Sequence, residues 1–151
     1  MLVVAVLFGS TLLFRALGAL GIEAFASWLD AARWGLSAML ALTASAHFTR
    51  MRGDLVAMVP RSFPAPETLV TATGILELLA AAGMQVPETR RLAGLGLMLL
   101  MSAMFAANVS AARRRLTLNG KPVTPLGLRV PMQILFLGVA WWTTLSPGAA
   151  S

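Results

Sequence analysis

The chain has 151 residues, enough for one domain; hydrophobic residues make up 58% of it and charged residues only 12%, about half the share that covers a soluble domain. The net charge is +6, but the arginines lie between apolar runs, as they do beside a membrane, so the charge does not point to nucleic acid. There is no cysteine and a single histidine, His47, which removes disulfides, thiol relays and cysteine-held clusters and leaves no ligand set for a protein-built zinc or haem site.

Five apolar runs follow in chain order, at about 2–22, 34–48, 69–84, 92–109 and 126–145. A spanning helix needs about 20 such residues, so the expected fold is all-α, a single integral membrane helical bundle occupying residues 1–151. Arg15 interrupts the first run and is placed to snorkel toward headgroups. Ala24-Phe25-Ala26 resembles a small-residue cleavage site, but the run lacks a positive n-region. It is therefore read as a retained helix, with a four-helix chain of the same orientation as the alternative.

Between the second and third runs, Arg50 to Pro66 holds Pro60, Pro64 and Pro66. Each proline removes a backbone donor and restricts its predecessor, so this segment is expected to be a loop. Gly83 to Arg91 is expected to be a short turn, and Arg113 to Pro122 a basic loop with Asn119-Gly120 as its turn. Five spans place Arg50, Arg52, Arg61, Arg113, Arg114, Arg115, Lys121 and Arg129 on one side and Arg33, Arg90 and Arg91 on the other. The eight-to-three bias predicts cytoplasmic basic loops, the N-terminus inside and the C-terminus outside. Trp28, Trp34, Trp141 and Trp142 then fall at the outer interface as an aromatic belt.

Ionisable residues inside a membrane are costly and are functional candidates by default. Glu77 lies about 12 Å into its helix, with Thr73 and Gly74 one turn earlier on the same face. His47, Asn108, Arg129 and Gln133 fall at a similar depth on three other helices. The six residues His47, Thr73, Glu77, Asn108, Arg129 and Gln133 therefore form a candidate ligand-binding polar layer. Arg129 is expected to offset Glu77, and His47 to hold or relay a proton. A structural clamp between helices is the other reading. The Asn108-Val109-Ser110 sequon sits at a cytoplasmic helix end. The Ser102/Ala106 and Ala103/Ala107 spacings are read as helix packing, and the nine methionines as apolar filling.

These residues carry a family resemblance over about Arg33 to Trp142. Its elements are His47-Phe48, Met58-Val59-Pro60 with Phe63-Pro64-Ala65-Pro66, and Gly74-Ile75-Leu76-Glu77-Leu78. They continue with Arg90-Arg91-Leu92-Ala93, Phe105-Ala106-Ala107-Asn108 and Leu128-Arg129-Val130-Pro131-Met132-Gln133. In this order they resemble the DoxX-like family of small bacterial integral membrane proteins. The resemblance implies a four-helix core in the cytoplasmic (inner) membrane, with the first helix as an addition. Ala106 stands where the family commonly has proline, which implies a straighter end to the fourth helix. Some relatives are subunits of quinone-linked oxidoreductases. The expectation is an accessory subunit holding a quinone or a lipid-like molecule against the Glu77 layer, with any redox centre on a membrane oxidoreductase partner. Surrounding lipid, and further copies of the chain, are the other partners expected. An enzyme using Glu77 as acid or base on a lipid-soluble substrate, and a small transporter, are the alternatives.

Overall fold

The computed structural model describes residues 2–118 and 120–149. Six α-helices account for most of them: α1 Leu2–Ala19, α2 Trp28–Ala46, α3 Arg52–Met58, α4 Pro66–Gly83, α5 Arg90–Arg113 and α6 Leu126–Thr144. Four long helices close a ring in which α2 packs on α4, α4 on α5, α5 on α6 and α6 back on α2, while α1 lies along α2. The shared core is built from Leu36, Met39, Leu40, Ala80, Ala81, Met84, Leu97, Phe136 and Ala140, with Leu7 of α1. Met39 and Met84 are among its fully buried side chains, the filling role that unbranched thioethers suit.

Among the described residues three helices, α1, α5 and α6, are long and apolar enough to cross a membrane. Their outer faces expose Leu12, Leu92, Leu99 and Ile134 among other large apolar residues, a surface that hydrocarbon covers without cost and water does not. The polar side chains of α2 and α4 explain why those two helices are less apolar. Arg33, His47 and Glu77 are all buried, so the polarity faces inward.

Several boundaries differ from the sequence expectation. The first helix ends at Ala19, not near Ile22, because Gly21 turns the chain with a φ of +99°. A short 3-10 turn over Glu23–Phe25 follows. The second helix begins six residues earlier than expected, at Trp28. Ser27 caps it by accepting a hydrogen bond from the Asp30 N–H at 3.0 Å. That places Arg33 within the helix and buries it. The expected Arg50–Pro66 loop holds a seven-residue helix, α3, which ends before Pro60. Pro66 is no breaker. It occupies the first turn of α4, where a missing N–H costs nothing, and moves that helix start to 66. The fifth helix, α5, runs one turn further than expected, to Arg113.

The basic loop is not wholly irregular. Thr117–Leu118 pairs antiparallel with Lys121–Pro122 as β1 and β2, a small departure from an all-α chain. Gly120 has a φ of +74° in that turn. Asn119, the other half of the turn signal, lies outside the described residues.

Trp28, Trp141 and Trp142 are exposed, as belt residues should be. Trp34 is not part of such a belt. Its ring packs against Phe14 and Phe25 at 6.2 and 5.7 Å between centroids, tying α1 to α2. Arg15 reaches the Trp28 ring at 5.6 Å, a cation–π contact near the end of α1.

Candidate functional site: a cavity walled by His47

Glu77 points into the bundle, 5% exposed. Two side chains meet it, Thr43 of α2 and His47, the residue that caps α2. The Thr43 hydroxyl lies 2.7 Å from Glu77 Oε2, and His47 Nε2 stands 3.7 Å from Glu77 Oε1. Thr43 and His47 are four residues apart and share a helix face.

The histidine tautomer follows from its other nitrogen. His47 Nδ1 is 2.7 Å from the Val70 carbonyl. A carbonyl oxygen only accepts, so Nδ1 carries the proton. Thr73 Oγ1, itself donating to Val70 O at 3.0 Å, is a second neighbour of Nδ1 at 3.3 Å. Nε2 is thereby left to face Glu77. The pair has two forms that differ only in the position of one proton: neutral imidazole with carboxylic acid, or imidazolium with carboxylate. Thr43 suits both, because its hydroxyl can donate to the carboxylate or turn to the Leu40 carbonyl at 3.1 Å.

Gly74 makes the approach possible. A Cβ at this position would lie 2.7 Å from His47 Cβ and 3.0 Å from the Phe48 ring. The small residue beside Glu77 therefore admits helix α2.

His47 and Thr73 also line a cavity of about 200 Å³ together with Asn108. Its remaining wall is apolar. Leu55, Met58, Val59, Pro60 and Phe63 come from α3 and the chain after it. Leu69 and Val70 come from α4, and Ala103, Met104, Ala106 and Ala107 from α5. The alanines at 103, 106 and 107 thus leave space rather than pack a helix, which corrects their reading as a packing motif. Two arginines hold α3 over the cavity. Arg52 donates to His47 O, Thr71 Oγ1 and Glu67 O. Arg114 donates to the Val59 carbonyl at 3.2 Å, just past the end of α3, where a cation complements the helix dipole.

The six expected residues do not form one layer. His47, Thr73 and Glu77 gather as described. Asn108 and Arg129 form a second pair, in which Arg129 donates to Asn108 Oδ1 and also to Thr124 O at 2.7 Å. Gln133 donates to Met101 O at 3.0 Å. Neither Asn108 nor Gln133 hydrogen-bonds to Glu77, and Arg129 pairs with Asn108 instead of offsetting Glu77. The cavity, not a direct bond, links the two groups, through Asn108. Sequence reasoning missed Thr43, although its four-residue spacing from His47 was the available signal. It also missed the cavity walls from α3, which was read as loop.

The DUF8561 family, a domain of unknown function, matches residues 36–144, and the chain belongs to it. The match takes in most of α2 and all of α3 to α6, so both polar groups and the cavity lie inside it, while α1 lies outside. No curated protein and no solved structure matches the chain.

Proposed function

We propose that this DUF8561 member is a cytoplasmic-membrane protein whose cavity holds the head of a quinone or a similar lipid-soluble molecule. It would serve as an accessory subunit of a membrane redox complex. The observation that carries this reading is a histidine with a fixed tautomer, on the wall of a cavity that is apolar apart from His47, Thr73 and Asn108, backed by a buried carboxyl group. An apolar wall selects a molecule dissolved in the membrane. The volume falls below the ~300–1,000 Å³ of sites that take whole drug-sized ligands, which suits one ring or head group with its tail outside.

His47 meets the ligand side and Glu77 stands behind it. Moving the shared proton between Glu77 and His47 Nε2 converts a neutral pair into an ion pair with no net charge, so the bundle holds no uncompensated charge in either form. A reaction with Glu77 itself touching substrate is less well supported, because Glu77 does not line the cavity. The chain supplies no cysteine and one histidine, so electrons would pass to a centre on the partner. The basic loops support an orientation with Leu2, His47 and Arg113 toward the cytoplasm and Thr144 outside.

The test is ligand retention. Protein purified in lipid nanodiscs should bind a benzoquinone with a short alkyl tail, and His47→Ala should weaken that binding. No binding by the wild type would remove the quinone reading.

A further inference from the structure

Asn108 has one unused hydrogen-bonding group. Its side-chain oxygen is taken by Arg129, and a guanidinium only donates, so the amide orientation is forced. The Nδ2 donors are left over. They have no hydrogen-bond partner among the described residues, and Asn108 lines the cavity while Arg129 does not. The amide is therefore held from behind by a cation and presents its donor end on the cavity side. A cationic partner on the oxygen also polarises the amide, and this strengthens its N–H groups as donors.

We infer that Asn108, positioned by Arg129, is a specificity-determining donor for an acceptor oxygen on the bound molecule, such as a ring carbonyl. This rests on the cavity being a ligand site and adds the chemical class of the ligand's polar end. His47, at the end of α2, and Asn108, in α5, come from different parts of the bundle and line one small cavity. A molecule with oxygens at both ends of a ring would meet the His47 and Thr73 wall at one end and the fixed amide at the other. A purely hydrocarbon occupant would leave the amide donor unsatisfied and should be disfavoured.

The decisive variant is Asn108→Asp. A carboxylate keeps the bond to Arg129, so the helix contact survives, but it has no donor to offer. Wild type and variant are titrated in nanodiscs with two probes of equal tail length, an alkylbenzoquinone and an alkylbenzene. The expected result is a loss of about tenfold in affinity for the quinone, the worth of one buried hydrogen bond, with alkylbenzene binding unchanged. Equal losses for both probes would show that Asn108 only shapes the cavity. No loss for the quinone would show that the donor is unused. Either result overturns the inference while leaving the cavity reading in place. Failure of the wild type to bind either probe would overturn that reading first.

Discussion

Two buried polar groups sit at opposite ends of the bundle, and they differ in whether space adjoins them. At the end where α2 begins, Arg33 is 4% exposed. It donates to Asp30 Oδ1 at 2.9 Å and to the Thr143 carbonyl at 3.0 Å. Gln85 donates to Ser37 at 2.7 Å nearby, and Arg90 donates to the Ala149 carbonyl at 2.9 Å. Gly94 lets α5 close on Thr144, where a Cβ would meet Oγ1 at 2.0 Å. None of these residues lines a cavity, and the bonds from Arg33 and Arg90 fix α6 and the residues after it. At the other end, His47 and Glu77 stand 3.7 Å apart, Asn108 keeps a free donor, and a cavity separates the two. A charge inside the bundle is therefore not in itself a sign of function. Unspent hydrogen-bonding capacity beside empty volume is the better sign.

This contrast predicts opposite mutational signatures. The largest effect on folding is expected at the Arg33 group. Arg33→Met removes the bonds to Asp30 and to Thr143 O, and should cost about 2–3 kcal/mol, read as a lower melting temperature in detergent, with ligand affinity unchanged. Equal loss of stability and of ligand binding would erase the distinction between the two ends.

Gly74→Ala is expected next. It forces a methyl group against His47 and should cost about 1–3 kcal/mol by overpacking. Unlike Arg33→Met it should also weaken ligand binding, because the side chain it displaces is the cavity wall. A Gly74→Ala protein with wild-type affinity would show that the placement of His47 is not critical.

Glu77 separates clamp from relay. Glu77→Gln keeps the shape and an acceptor for Thr43, so stability should change by less than about 1 kcal/mol, while the activity of the associated complex should be lost with the titratable group. Glu77→Leu should lower stability as well, since Thr43 and His47 lose their partner. Full activity in Glu77→Gln would move the His47 pair into the same class as the Arg33 group. Thr43→Val, the mildest change, should cost about 1 kcal/mol and shift the pH dependence of ligand binding without abolishing it.

The sequence made the helices legible because apolar runs of spanning length have few other uses, and it singled out His47, Thr73, Glu77 and Asn108 by their cost in a membrane. It misled where one residue could serve two roles. Arg33 was counted with the outer loop charges because the helix was started at Trp34, although Ser27 and Asp30, three apart, carry a helix-start signal. Pro66 was read as a breaker, although a proline also opens helices. Equal depth does not mean proximity, since Gln133 and Arg129 at that depth bond elsewhere. Depth along a helix can be counted from sequence, but the face a side chain takes depends on how neighbouring helices close around it. The cavity could not be read at all, because alanines at 103, 106 and 107 look the same whether they admit a helix or leave a void.

The central claim is that this void is occupied in the working protein. Ala107→Leu tests it most directly, because a leucine would fill part of the cavity while leaving His47, Glu77, Asn108 and Arg129 unsubstituted. Native mass spectrometry of wild type and Ala107→Leu, purified in parallel from the same membranes, compares the small molecules each retains. The account predicts a bound lipid-soluble molecule on the wild type that is absent from Ala107→Leu, with the variant at least as heat-stable as the wild type. The same molecule retained equally by both proteins would contradict it.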